Sequence, residues 1–439
     1  MLEILEVRTY RHLLIAQVVA LMGTGLATVA LGLLAYDLAG GNAAMVLGTV
    51  FAIKMVAYVT VAPVAAALAE RMHRRRVLVA LDLVRAAVAL CLPIVSEVWQ
   101  VFVLILILQA ASAAFTPIFQ ATIPDVLPEE DRYTRALSLS RLAYDLESLL
   151  SPALAALLLV AFSYDTLFLG TVAGFAASAA LVVSVVLPTP KPSASRGFYD
   201  RTTRGIRIYF KTPRLRGLLA FSMAVSAAGA MVLVNTVVLV KDGLGLGDSA
   251  VAVAMGAFGA GSMLAALSLP RMLDTMSDRP VMCVGAVMMV LGLIGLAVWD
   301  GAFGLSQSAL LAAWLTIGIG YSAVLTPSGR LLRRSSQPED RPAVFAAQFA
   351  LSHACWLLTY PLAGALMTLG GEVVALSVCS ALTCGALLLA LRQWPSHDPV
   401  EIAHEHPDLP PEHPHVQGEH RHVHPFTIDD LHPSWPISG

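Results

Sequence analysis

Charge is scarce in this chain. Lys, Arg, Asp and Glu make up 13% of its 439 residues, against about a quarter in a soluble domain of average composition. That deficit excludes an ordinary water-soluble globular protein. Cysteine is scarce too. The five present (Cys91, Cys283, Cys355, Cys379 and Cys384) all fall inside apolar runs, and an odd, buried set excludes a disulfide framework. No soluble segment holds G-x-x-x-x-G-K-[ST], so the chain lacks the phosphate cradle of an ATP-driven engine. Nothing reads as a cleavable leader either. The first apolar run begins near Leu13, is too long for a signal-peptide core, and has no small-residue cleavage site before the next run.

Apolar sequence in long runs is what the chain has in plenty. The runs lie near 12–38, 43–69, 77–96, 98–120, 136–162, 165–187, 217–240, 248–270, 281–299, 305–327, 343–368 and 372–391. Each is close to the ~20 residues that cross a hydrocarbon core of about 30 Å. They predict an all-α membrane protein with twelve transmembrane helices.

The connecting segments alternate in charge. One set carries Arg71, Arg74, Arg75 and Arg76, then Arg132 and Arg135, then Arg271 and Arg279, then Arg330, Arg333, Arg334 and Arg341. The other set is short and acidic, with Asp37, Glu97, Asp165, Asp242, Asp248, Asp300 and Glu372, and Lys241 as its base. The positive-inside rule places the basic set and both termini in the cytoplasm of a plasma (inner) membrane protein.

The organisation expected is therefore a six-helix bundle over 1–187, a basic linker over 188–216, a second bundle over 217–392 and a polar tail over 393–439. Traces of duplication support two six-helix pseudo-repeats. Glu130-Asp131-Arg132 precedes the fifth run and Glu339-Asp340-Arg341 the eleventh, and the same offset carries Pro152 onto Pro361. Thr116-Pro117 and Thr326-Pro327, one residue out of step, read as closing the fourth and tenth runs.

Ionisable residues at membrane depth are costly and hence functional candidates. Lys54 lies about half way along the second run. Asp145 and Glu147 lie in the fifth, and at about 1.5 Å per residue Glu147 is some 15 Å or more inside. Two residues apart, the acids occupy different faces. Lys54 and one of them are expected to pair, leaving the other to carry a proton or a cation. His353, in the eleventh run, titrates near neutrality and suits proton relay or metal ligation; a hydrogen-bonded bundle histidine is the structural alternative. Asp82 and Arg85, three apart on one helix, are read as satisfying each other.

The tail holds a different chemistry. Between His404 and His424 it reads HEHPDLPPEHPHVQGEHRHVH, with His404, His406, His413, His415, His420, His422 and His424 in H-x-H steps. Prolines at 407, 410, 411, 414 and 425 oppose a helix, and the polar composition predicts disorder. Neutral imidazole suits nickel, zinc and copper. Alternation along an extended chain puts such imidazoles on one side, so His420, His422 and His424 form a candidate set, with His404 and His406, and His413 and His415, as weaker pairs.

On these features the chain resembles the major facilitator superfamily over about residues 1–392. The loop after the second run reads A-L-A-E-R-M-H-R-R-R, against the superfamily's G-x-x-x-D-R-x-G-R-R/K. Glu70 stands for the acid, Arg71, Arg74 and Arg75 for the bases, and Ala66 and His73 replace the glycines. The resemblance implies two rocking halves, with Glu70, Arg71, Arg74 and Arg75 as a gating latch. The tail makes the chain similar to NreB-type nickel-resistance exporters. That similarity implies efflux of a divalent transition metal, nickel first, with cobalt, zinc or copper as alternatives.

The reading that follows is a secondary transporter, not an enzyme, driven by proton antiport. It has no permanently bound cofactor. Its partners are the lipid bilayer, the metal ion and protons, with no nucleotide or nucleic acid. An exporter of an organic solute, such as a drug or siderophore, with an incidental metal-binding tail is the alternative. A membrane-anchored metal sensor or scaffold is a third reading, for which twelve spans are an extravagant anchor.

Overall fold

The computed structural model describes residues 2–39, 43–69, 73–188, 198–396, 398–399, 401–405 and 421–436. Its long helices follow the apolar runs. They are α1 (Arg8–Ala39), α2 (Ala43–Ala69), α3 (Arg74–Cys91), α4 (Val98–Val126), α5 (Glu130–Ala161), α6 (Asp165–Val183), α8 (Pro213–Val238), α9 (Asp248–Leu273), α10 (Asp278–Phe303), α11 (Gln307–Arg334) and α12 (Arg341–Gln393). The shorter α7 (Phe198–Lys211) stands between the two groups. Helix α12 is two segments joined at Gly371, whose φ of 75° only glycine adopts without strain, so the described chain contains twelve long segments. Among the described residues nine helices are long and apolar enough to cross a membrane, and α2 adds the apolar stretch Ile53–Ala65. Leu90, Leu106, Leu291, Val298 and Leu388 remain exposed on helix flanks, as a lipid-facing surface requires.

The first six helices pack among themselves, α1 on α5 and α6, α2 on α4, and α3 on α4 and α6. The second group does the same, with α8 on α12, α9 on α11, and α10 on α11 and α12. The seam between the groups is made by α2 against α12 and α5 against α9, with α11 touching α5 and α12 touching α4.

Two expectations change. Pro117 and Pro327 do not close their helices, for α4 continues to Val126 and α11 to Arg334. A proline inside a membrane bundle is tolerated because nearby hydroxyls and neighbouring helices satisfy the carbonyls it disturbs. The helices thus project past the apolar runs at the end of the bundle that carries both termini and the arginine-rich loops, here called the basic end.

The linker, expected as a polar hinge, is helical over α7. Arg204, Gly205, Ile208, Tyr209 and Thr212 are buried at helical spacing, against the start of α12. A Cβ on Gly205 would lie 2.0 Å from Ala343 O, so glycine permits this close crossing.

In the tail, residues 406–420 lie outside the described residues. Where composition predicts disorder, the described parts form two strands, β1 (Glu401–Glu405) and β2 (Arg421–Pro425), paired antiparallel with His404 opposite His422 and Ile402 opposite His424. Downstream, Phe426 and Ile428 are 3% and 4% exposed and join the core of the second helix group. Prolines forbid a helix but not a strand edge, and this apolar pair supplies the burial that a polar segment lacks.

Candidate functional site

Three groups of residues carry the chemistry. The first lies in the seam between α2, α5 and α12. Lys54 Nζ stands 5.6 Å from the centroid of the Tyr58 ring, one turn along α2. Tyr58 meets two rings of α12, Phe349 at 4.9 Å and His353 at 4.7 Å between centroids. His353 Nδ1 is 2.7 Å from Phe349 O, which assigns the ring proton to Nδ1 and directs Nε2 to act as acceptor. Glu147 of α5 lies within electrostatic reach of Lys54 and Tyr58, and Lys54 within reach of His353.

Lys54 of α2 thus lies within electrostatic reach of both Glu147 of α5 and His353 of α12. Asp145 is on α5, with its side chain outside the described set. The rings of Tyr58 and Phe349 escaped the sequence reading. Their signal was helical spacing, four residues after Lys54 and four before His353.

Asp82 and Arg85 satisfy each other as expected. Their side chains form a buried ion pair, and Ser178 Oγ donates to Asp82 Oδ2 at 2.8 Å. The Arg85 guanidinium lies between the rings of Phe115 (4.2 Å) and Phe175 (4.5 Å).

The second group joins the two helix sets at the basic end. Arg74, 4% exposed, pairs with Asp125 near the end of α4. Arg341, the first residue of α12, holds the other oxygen of that carboxylate at 2.5 Å. One acid thus bridges an arginine from each set. Beside it Arg330 pairs with Glu130 at 2.6 Å, and Arg333 donates to Pro128 O. Of the predicted latch residues Arg74 belongs to this array. Arg75 is exposed and donates to Val185 O at 3.5 Å, while Glu70 and Arg71 lie outside the described residues. Asp125 was missed because it falls beyond the apparent end of the fourth apolar run.

The third group is the tail. His404, His424 and His432 each present a ring nitrogen, the three lying within 4.8 Å of one another. His404 Nε2 is 3.0 Å from His432 Nε2, and the set rests on the buried ring of Phe426, 5.0 Å from His404 and 4.8 Å from His432. His432 is held by Asp429, whose Oδ1 is 2.7 Å from Nδ1 and also accepts the amides of Leu431 and His432. Burial pushes the Asp429 carboxyl up, but the hydrogen bonds it accepts from His432 and Leu431 outweigh it and hold the group below the usual carboxylate range.

The tail imidazoles thus gather differently from expectation. His404 and His424 are joined by His432, which lies outside the H-x-H stretch. The side chain of His422 lies outside the described set, as do His406, His413, His415 and His420 entirely.

Several contacts dock this tail on the second helix group. Arg204 of α7 binds Asp430 at 2.8 Å and both oxygens of Asp340, at 2.5 and 2.8 Å. Although burial opposes charge on Arg204, these acids raise its pKa further. Arg214 reaches Phe426 O at 3.2 Å and Asp398 at 3.3 Å, under the Trp435 ring at 5.0 Å. Gln337 donates to Thr427 at 2.9 Å, and Lys211 to Pro433 O at 2.7 Å.

Twelve long segments in two groups of six, with a charged cluster at their seam and ion pairs across one end, are the architecture of a multi-span membrane protein. The profile of the Major Facilitator Superfamily matches residues 13–247 and 219–426, and the chain belongs to that superfamily. It is 29% identical over 150 residues to macrolide efflux protein A of Streptococcus pyogenes, a match covering 33% of this chain and 36% of that protein. It is 27% identical over 124 residues to the uncharacterized MFS-type transporter YfiS of Bacillus subtilis, covering 28% and 30%. The matches thus span about a third of these relatives' own length. Among solved structures, the human organic anion transporter MFSD10 superposes with a TM-score of 0.75 at 13% identity, over 87% of this chain and 99% of that one. A bacterial homologue of the iron transporter ferroportin, in an outward-facing state, gives 0.73 at 14% identity, over 88% and 99%. Both likenesses bear on the fold.

Proposed function

We propose that the chain is an exporter of a divalent transition metal, nickel first, working by proton antiport across the plasma membrane with both termini in the cytoplasm. The observation that carries the metal assignment is the convergence of three tail imidazoles on the basic end of the bundle. A tail of this kind raises the local metal concentration at the cytoplasmic mouth. Glu147 is the proton- or cation-carrying acid, with Lys54 as the charge that discharges it and His353 as the acceptor on the opposite helix group. Asp145 remains a second candidate for the coupling role. Arg74, Asp125 and Arg341 form the latch that parts when the halves rock, with Glu70, Arg71 and Arg75 as its predicted flank.

The measurement that tests this is nickel accumulation in metal-loaded cells carrying the intact chain, Glu147→Gln, Asp145→Asn, or a chain stopped after Arg392. Lower nickel with the intact chain, and loss of that difference in Glu147→Gln, supports the reading. Equal accumulation of nickel, cobalt and zinc with and without the chain overturns it.

A second reading, export of an organic solute, has its own support. Phe258, Tyr321, Trp356 and Tyr360 form a continuous aromatic series across α9, α11 and α12, with centroid spacings of 5.3, 6.4 and 4.9 Å. Among the described residues the metal-ligating cluster is in the tail and not in the seam. The partial likeness to macrolide efflux proteins points the same way. Macrolide retention in the same cells separates the two.

A further inference from the structure

The tail histidines show more than a tendency to gather metal. In each ring of the set Nδ1 faces an oxygen. For His404 it is Ile402 O at 2.9 Å, for His424 Pro425 O at 2.9 Å, and for His432 the Asp429 carboxylate at 2.7 Å. An oxygen acceptor requires the proton on Nδ1, so the lone pair of each neutral ring falls on Nε2. That is the arrangement found at metal-binding histidines, where a carboxylate or carbonyl fixes the tautomer and orients the ring.

His404 Nε2 and His432 Nε2 face each other at 3.0 Å, a spacing that a shared proton or a shared cation holds. The ring of His424 lies against both, its centroid 4.6 Å from that of His404 and 5.1 Å from that of His432. An ion bound at about 2.0–2.1 Å from each nitrogen holds any two of them no more than about 4 Å apart. One ring nitrogen of each residue lies within 4.8 Å of the others, so the three need to close by less than about 1 Å to reach that spacing. The rings are placed by a strand pair and a tight turn. His404 and His424 share one face of the β1–β2 pair, while Asp429 folds the chain back through the amides of Leu431 and His432.

We propose that His404, His424 and His432 form a retained site for one divalent transition metal, with Asp429 as the positioning residue for His432, and that the bound ion clamps the tail to the basic end of the second helix group. The clamp acts where the tail already docks. Residue 430 meets Arg204, Arg204 meets Asp340, and Asp340 directly precedes Arg341 of the inter-set latch. This ion stays with the chain, so the inference holds whether the solute that crosses is a metal or an organic molecule. It takes one histidine each from the H-x-H steps at 404–406 and 420–424 and differs from them in needing His432.

The test uses the full-length purified protein, loaded with nickel and dialysed against a weak chelator. Bound nickel is counted by elemental analysis, and tail cleavage by trypsin is timed. Arg421 is the tail's tryptic site beyond Arg392. One ion per chain is expected to survive dialysis in the intact protein and in the His413→Ala/His415→Ala double variant, and to slow cleavage after Arg421. His432→Ala loses both, while Asp429→Asn keeps the ring and weakens nickel by about 10–100-fold, the usual cost of removing an outer-shell partner. Because the alanine variant can also undock the tail, its metal-free cleavage rate is compared with that of metal-free intact protein, and Asp429→Asn provides an independent reading. The proposal is overturned if both variants hold nickel as tightly as the intact chain. It is equally overturned if retention follows His413 and His415 instead.

Discussion

The seam cluster and the tail cluster hold similar chemistry in opposite settings. In the seam, Lys54, Glu147 and His353 are single residues drawn from three helices. In the tail, imidazoles are plentiful and close in sequence, yet the three that converge come from two strands and the turn beyond them. The difference concerns what fixes position. Helices packed by their apolar faces set the seam, so isolated polar residues are placed by the fold itself. The tail has little apolar surface, and its geometry depends on a few anchors: Phe426, Ile428 and the arginines that receive Asp398 and Asp430.

This contrast can be broken from either side. The largest effect is expected from Glu147→Gln, which removes the acid that faces Lys54. Transport is lost while the tail keeps its nickel, as read by accumulation in cells and metal content of the purified protein. Asp125→Asn comes next. It leaves Arg74 and Arg341 facing each other without a counter-charge, at a cost on the order of 3 kcal/mol, the low end for a broken buried pair because Asp125 keeps some contact with solvent. Thermal unfolding of the purified protein should show a clear fall in Tm. Gly205→Leu is expected to push α7 off α12, since its Cβ would meet the Ala343 carbonyl. Trypsin should then cut after Arg421 faster than in the intact chain, with or without nickel. The smallest effect is expected from Glu130→Gln. Its carboxylate is 60% exposed, and surface pairs contribute about 0–1 kcal/mol, so Tm should move far less than for Asp125→Asn.

Much of the fold was legible because the bilayer imposes a length and a polarity on each span. The boundaries of α2, α4 at its start, α9 at its start and α12 follow the apolar runs closely. The ends at the basic side were not legible, since α4 and α11 carry on through polar sequence and past Pro117 and Pro327. Asp125 was lost for that reason. Lys54, Glu147 and His353 stood out because charge at membrane depth is costly, whereas Tyr58 and Phe349 look like ordinary span residues until α2 meets α12. In the tail, residue counting singled out His404 and His424 but not His432. Repetition drew attention to the H-x-H steps. His432 sits alone in DDLHPSW, and only the strand pairing and the Asp429 turn bring it to His404. Helix α7 carried a readable signal in the spacing of Ile208, Tyr209 and Thr212, which eight basic residues in the same linker obscured.

The central claim is that the seam acid couples ion movement to export. It is tested most directly with purified protein in liposomes, measuring nickel movement driven by an imposed proton gradient. The account predicts gradient-dependent nickel transport by the intact chain and none by Glu147→Gln, with both proteins retaining tail-bound nickel. Transport of nickel by Glu147→Gln at the intact rate, or the absence of gradient-driven nickel movement in the intact chain, would contradict it.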